Sequence, residues 1–395
     1  MTTSGVYAAI QPQETGFDPD ARLRLEEHFK KLIKREQIQS AAYLLSAKGK
    51  VFAKGAYGQL KYNDPDSAYK EDTIRKIASV TKLFTATAIF QLVEQGKLFL
   101  RQSVSEWIEE FKNPTYDKIQ IWHLLTHTSG LHADVGYFQE PYPRGWWDVL
   151  FAFEPETEGP FAITDPEELE KQRRGQWLRA LLSGQPLSAP GAEWSYSSAG
   201  FCVLGEIVTR ASGIPFEQYV MEKIVQPLGM NRTFFVIPQE LHDEVCWINE
   251  QEVNRDTKQQ DRSYGPPRAG GGMSSTLADL YRFGQMLLNK GTLDGVKILS
   301  RKSVEKMSTN VLNSGIEGFC WGGRIKNFTY GLGANLTGHD DWLPVGSYGH
   351  EGAGRCKLLV DPQHQSVAVF FVPSNTDWCP ESINGTQNII GSGWL

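Results

Sequence analysis

Ser79 and Lys82 stand three positions apart in Lys76-Ile77-Ala78-Ser79-Val80-Thr81-Lys82-Leu83-Phe84. On a helix, residues at i and i+3 are neighbours on one face. A serine hydroxyl is a weak nucleophile until a nearby base takes its proton. A lysine becomes that base when burial and neighbours lower its pKa toward neutrality. The start of a helix adds partial positive charge and free N–H groups, which favour developing negative charge. S-x-x-K by itself arises by chance, and its plain alternative is an N-cap serine followed by a solvated lysine. The apolar run directly after Lys82 favours the chemical reading. It marks a buried helix, whose first turn would carry a costly lysine unless that lysine had work to do.

Two further clusters can complete a site. Trp194-Ser195-Tyr196-Ser197-Ser198 follows Pro190-Gly191. A tyrosine hydroxyl relays protons between nucleophile and leaving group, and acts as a base if a nearby cation depresses its pKa; its plain alternative is a buried aromatic with a satisfied hydroxyl. Gly349-His350-Glu351-Gly352-Ala353-Gly354 precedes an apolar run. Glycines there let a substrate lie along a strand edge with a backbone N–H aimed at it; the plain alternative is a hairpin loop. His123 and His127 have the i, i+4 spacing of zinc ligands, but the Glu of H-E-x-x-H is missing, so they read as histidines satisfying local backbone groups. There is no G-x-S-x-G and no S-D-N, and Gly270-Gly271-Gly272 lacks the Gly-Lys-Ser/Thr of a phosphate loop,.

The elements that must position these residues follow from periodicity. Residues 19–36 form an amphipathic helix with Leu23, Leu25, Phe29, Leu32 and Ile33 near one face,. AAYLLSA and KVFAKGAYG flank a turn at Lys48-Gly49-Lys50 and read as a hairpin,. A long helix begins near Ser79 and stops at Gly96,. Residues 101–240 read as mostly helical, with a tryptophan- and proline-bearing excursion over 139–195 of the kind that roofs a site,. Thr276 to Asp279 forms a capping box in its Asp variant, opening another helix,. RCKLLVDP and SVAVFFVPS are strands about the turn at Asp361-Pro362, and a last helix follows Pro380,. Strands from both ends can then pair in one antiparallel sheet. The expected class is α+β, an antiparallel sheet flanked by N- and C-terminal helices, with an inserted all-helical region. Its expected division is a sheet region of 1–78 and 320–395 and a helical region of 79–319, making one catalytic unit with the ligand cleft between them.

With 395 residues, 40% apolar and 22% charged, the composition is that of a globular protein,. A net charge of −6 gives no basic field for nucleic acid or an anionic membrane,. There is no cationic start followed by an apolar h-region and no apolar run long enough to span a bilayer,. Cys202, Cys246, Cys320, Cys356 and Cys379 form no CxxC pair, so neither zinc nor a disulfide framework is suggested,. All five read as small buried residues, and free thiols fit a reducing cytoplasm. No metal and no cofactor is expected.

Read together, these pieces resemble the serine β-lactamase-related and penicillin-binding-protein-like family, close to class C β-lactamases, family VIII carboxylesterases and D-amino-peptide hydrolases. Ser79-Val80-Thr81-Lys82 matches S-x-x-K, and Ile121 to Leu131 (IWHLLTHTSGL) matches a family signature. Tyr196-Ser197-Ser198 stands where the family has Y-x-N. Pro227-Leu228-Gly229-Met230 and Gly271 to Thr276, continuing to Asp279-Leu280, are further landmarks. His350-Glu351-Gly352 stands where the family has K-T-G or H-x-G. The likeness covers roughly residues 20–375, in family order,. It implies the β-lactamase/transpeptidase-like fold and an acyl-enzyme on Ser79, with Lys82 and Tyr196 sharing proton transfer. It also implies an oxyanion hole from the N–H groups of Ser79 and Ala353, with Ser198, His350, Glu351 and Gly352 against the substrate.

There are two departures. Ser198 replaces Asn with a shorter group that can still bond Lys82. Glu351 replaces a small or hydroxyl residue and, if it faces the cleft, repels a substrate carboxylate. Esters or neutral amides are therefore expected over efficient β-lactam hydrolysis. The alternatives are a β-lactamase or slow-turnover penicillin-binding sensor, and an acyltransferase to a small acceptor. The expected partner is a small-molecule or short-peptide substrate, with no nucleic acid and no membrane; oligomeric state is not legible.

Overall fold

The computed structural model describes residues 12–139, 165, 175–258, 266–338, 341–376 and 379–395. Apart from its last residues, the 139–195 excursion lies largely outside the described residues, as do Trp146 and Trp147.

The main sheet has seven strands, labelled here in chain order as β1 (Ser40–Ala47), β2 (Lys50–Lys61), β3 (Asp64–Ala68), β4 (Asn335–Leu336), β5 (Tyr348–Gly352), β6 (Cys356–Asp361) and β7 (Ser366–Phe371). They lie in the order β4-β5-β6-β7-β1-β2-β3. The β1–β7 pair is antiparallel, with Ala42 opposite Phe371 and Ala47 opposite Ser366, so early and late strands share one sheet as expected. Because side chains alternate across a strand, β1 feeds two cores. Tyr43 and Leu45 meet Leu25, Phe29 and Leu32 of the helix Pro19–Lys34, together with Ile383 and Ile390 from the C-terminal helical turns. Ala42 and Leu44 face the opposite way, toward Leu83, Phe84, Phe283 and Met286. Both faces are covered, so every residue of β1 is buried.

Leu23, expected on the inner face of the first helix, is 48% exposed, and Ala21 takes the inward position instead. The stretch 101–240 is less regular than its composition suggests. Short 3₁₀ turns and a five-residue helix, Ile121–Leu125, precede the long helix Ser198–Ser212. Cys320 departs from the expectation of burial and is only partly covered. Among the described residues, no helix is long and apolar enough to cross a membrane.

The helix Thr81–Glu94 is buried almost all round, and Gly96 closes it with φ +70°,. It packs on the helix Leu277–Leu288 through Phe84 and Phe283, whose rings stack at 3.9 Å. Thr276 caps the second helix by accepting from Asp279 N–H at 3.3 Å. The reverse half of the expected box is not made. Asp279 instead accepts from Arg232 N–H and Thr233 Oγ1, both at 2.8 Å.

Ahead of the Thr81–Glu94 helix, residues 75–77 are clamped. Arg75 is fully buried and donates to Glu252 Oε2 at 2.5 Å, Cys246 O at 2.9 Å and Gly354 O at 3.4 Å. Ile77 donates its N–H to Met273 O and accepts from Cys356 Sγ. Breaking one side of a buried ion pair leaves an uncompensated charge. Glu252→Ala is therefore expected to lower stability by about 3–5 kcal/mol, read from urea unfolding. Arg75→Met combined with Glu252→Leu should recover most of that loss.

Candidate active site

Ser79 lies in a 3₁₀ turn, Ala78–Val80, that runs directly into the helix Thr81–Glu94. Ala78 takes φ +42°, a conformation that L side chains rarely adopt,. Such strain persists only where the surroundings over-determine it, and the clamp on residues 75–77 does so here. Val80 is the N-cap and makes no side-chain cap bond, so Ser79 is not spent on capping.

Lys82 has 0% exposure. Its Nζ lies 3.1 Å from Ser79 Oγ, 2.9 Å from Ser198 Oγ and 2.6 Å from Gly270 O. Burial pushes its pKa down to about 8, against the opposing pull of Asp134 and then Cys202,. Gly270 is required for this packing, since a Cβ there would lie 2.9 Å from Ser198 O and 3.0 Å from Ser198 Cβ.

Tyr196 closes over the pair. The Lys82 ammonium sits 4.7 Å from its ring centroid, and Ser79 lies near enough its hydroxyl to oppose the rise in its pKa. Burial, with Tyr330 and Asp134 nearby, raises its pKa well above the ordinary phenol value. The condition under which Tyr196 would act as the base, a depressed pKa, is therefore not met. Desolvation keeps Tyr196 a neutral phenol, and the group whose pKa is brought down to about 8 is Lys82,.

Tyr196 is held by the start of the helix Ser198–Ser212. Ser197 is its N-cap, accepting from Gly200 N–H at 3.1 Å while donating to His132 O at 2.6 Å. Ser197 N–H donates to His127 Nδ1 at 3.0 Å. With Nδ1 accepting, His127 Nε2–H donates to Tyr330 Oη at 3.1 Å,. Tyr330 then donates to His350 Nε2 at 3.4 Å, and His350 Nδ1–H donates to Glu351 O at 2.6 Å. Every polar atom of this chain is satisfied with both imidazoles neutral. Burial agrees, taking the His127 pKa well below its ordinary value and that of His350 to about 3. His123 Nδ1 accepts from Gln120 N–H. His123 is thus a local structural group, whereas His127 departs from that expectation and joins segments distant in sequence, Ser197 and Tyr330; among the described residues no cluster suited to a metal ion is found.

His350, Glu351 and Gly352 belong to β5 itself rather than to a loop before it. Glu351 lies opposite Lys357 on β6 and pairs with it at 3.4 Å. Alternation points this pair to the other side of β5 from His350, and Lys357, which also lines the cavity beside His350, offsets the Glu351 charge, so Glu351 does not stand as a bare charge. Past Gly352, the chain presses on the segment that leads into Ser79. A Cβ on Gly352 would lie 2.2 Å from Ile77 O, and one on Gly354 would lie 2.2 Å from Lys76 O. Residues 352–354 thus run against residues 76–77, just ahead of the turn that carries Ser79, and Ala353 between the two glycines is exposed. A cavity of about 270 Å³ opens beside Tyr196 and His350, walled by Tyr137, Trp194, Phe328 and Tyr330.

One functional residue escaped the sequence reading. Asp134 accepts from Ser198 N–H at 2.7 Å and from Ser198 Oγ at 2.6 Å, and donates its own N–H to Tyr196 O at 2.8 Å. The only hint was its place just after the His127–Leu131 stretch.

The family model described as Beta-lactamase matches residues 25–381. The chain belongs to that family. Among curated relatives, Protein Rv1367c of Mycobacterium tuberculosis (strain ATCC 25618 / H37Rv) is 31% identical over 373 residues, covering 85% of each chain. Esterase EstB of Burkholderia gladioli is 33% identical over 236 residues, 58% of this chain and 55% of EstB. In fold, the chain resembles the solved structure of EstCE1, described as a hydrolase with promiscuous acyltransferase activity, with TM-score 0.71 and 20% identity over 94% of this chain and 99% of that one. The fold is thus β-lactamase/transpeptidase-like, shared with penicillin-binding-protein homologues and class C β-lactamases.

If Lys82 takes the Ser79 proton, it must be neutral, which holds above its pKa and not below. The labelling rate of Ser79 by a fluorophosphonate should rise about tenfold per pH unit at low pH and level off above about 8,. Lys82→Met should lower the plateau by ~10²–10⁴-fold.

Proposed function

We propose that this chain is a serine hydrolase that forms an acyl-enzyme on Ser79 and cleaves uncharged esters, with neutral amides as slower substrates. The observation that carries this reading is the Lys82 amine, fully buried and 3.1 Å from the Ser79 hydroxyl. Ser79 Oγ attacks the ester carbonyl carbon as its proton passes to Lys82. The carbonyl oxygen becomes an oxyanion, facing the N–H groups of Ser79 and Ala353. The C–O bond to the alcohol then breaks, and the alcohol leaves with a proton delivered from Lys82 by way of the neutral Tyr196 phenol. Water, deprotonated by the same pair, attacks the acyl carbon, releasing the carboxylic acid and restoring the Ser79 hydroxyl.

The preference for uncharged substrates rests on His350. Where the family's K-T-G motif supplies a cation, this chain has an imidazole whose pKa burial takes to about 3. At neutral pH that position offers no charge to a penicillin carboxylate or a free peptide C-terminus. The cavity beside it has a wall of aromatic rings that suits an apolar acyl or alcohol group, and the Lys357 that also lines it is already paired with Glu351,. The esterase activity named for EstB is in line with this reading.

The test compares p-nitrophenyl butyrate with nitrocefin. The parent should hydrolyse the ester with a kcat/KM at least about 100-fold above that for the β-lactam, and Ser79→Ala should fall to the uncatalysed background on both. Equal ester rates in parent and Ser79→Ala would refute the acyl-enzyme. Faster nitrocefin turnover would refute the ester preference.

A further inference from the structure

A neutral lysine amine has two N–H donors and one lone pair. To serve as base for Ser79, it must aim the lone pair at Ser79 Oγ and spend both donors elsewhere. Two other partners lie in range, Gly270 O at 2.6 Å and Ser198 Oγ at 2.9 Å. The carbonyl can only accept. The Ser198 hydroxyl is ambivalent, because it can accept from the amine or donate into its lone pair. If it donates, the lone pair is consumed and Ser79 loses its base. The amide oxygen of an Asn at this position would be an acceptor without this ambiguity.

We infer that Asp134 removes the ambiguity: its carboxylate takes the Ser198 proton and so fixes the direction of the hydrogen-bond chain, leaving the Lys82 lone pair for Ser79. Ser198 Oγ donates to Asp134 Oδ2 at 2.6 Å, while Ser198 N–H donates to Oδ1 at 2.7 Å. An ionised carboxylate only accepts, so the proton of Ser198 has one destination. The Asp134 N–H bond to Tyr196 O, at 2.8 Å, ties the same residue to the phenol's own segment. Asp134 is thus a positioning residue, acting on Ser79 through Ser198 and Lys82. It lets a serine do what a longer amide side chain would do alone. The inference rests on Lys82 being the base for Ser79.

Asp134→Asn is nearly isosteric. Its oxygen can keep the Ser198 N–H bond, which presents an NH₂ donor where Oδ2 stood and turns the Ser198 proton back toward Lys82. It also removes a negative charge that holds the Lys82 pKa up. The other titratable groups around that amine, Tyr196, Cys202, His127 and His350, are unchanged.

The experiment measures fluorophosphonate labelling of Ser79 against pH in the parent, Asp134→Asn, Asp134→Ala, Ser198→Ala and the Asp134→Asn/Ser198→Ala double variant, with circular dichroism on each. Asp134→Asn and Asp134→Ala should lower the plateau at least about tenfold, the smaller end of what a general base supplies. The acid limb should move to lower pH in both. In the Ser198→Ala background, adding Asp134→Asn should change the plateau by less than about twofold, because the hydroxyl through which it acts is gone. Labelling of both single variants at the parent rate would overturn the inference. So would an equal loss with and without Ser198, or loss of near-ultraviolet circular dichroism in both, which would assign Asp134 to the fold. A parent that is not labelled at Ser79 would instead sink the proposed function.

Discussion

The site depends on keeping one amine out of water without giving it a direct counter-ion. Burial alone would drive Lys82 far toward the neutral form, and a carboxylate in contact would hold it protonated. The structure sits between these limits. Asp134 is one hydroxyl away from the amine, close enough to oppose desolvation and too indirect to lock the proton in place. Around that compromise the rest is ordered. Gly270 lacks a side chain so that its carbonyl and Ser198 can share the amine. Tyr196 lays its ring beside the ammonium, and the Arg75–Glu252 clamp fixes the strained turn that carries Ser79.

The neutral chain from Ser197 through His127, Tyr330 and His350 links the helical region to β5. Its directions are consistent from end to end, so no proton needs to be charged or lost to satisfy it. This has a chemical side effect. The imidazole that lines the cavity from β5 is uncharged, and it is kept so by the same bonds that hold the two walls together.

Much of this was legible in the sequence, because the informative patterns are local. The i, i+3 pair, the hairpin flanking Gly49, the Gly96 stop and the two late strands each follow from short-range periodicity and turn chemistry. What was not legible depends on contacts across the chain. Burial of Tyr196 decided the direction of its pKa, which the sequence left open. The polar and glycine-rich letters of β5 hid a strand whose partners, not its own side chains, make it one. Glu351 looked like a cleft charge until its neighbour on β6 was known. Asp134 carries no motif, and its meaning appears only once Ser198 is placed against it.

The pairing of β1 with β7 joins residues such as Ser46 and Val367, 321 positions apart. Contacts of that range form late, because the loop they close must be ordered before they stabilise anything. The wall bearing His350 and Ala353 belongs to those late strands, while Ser79 and Lys82 come off the ribosome early. A nascent chain therefore exposes its hydroxyl and amine with no roof and no dehydrating shell, and the lysine stays an ordinary charged side chain. The lowered pKa of Lys82 is therefore a property of the finished fold, acquired only when segments distant in sequence close around the amine.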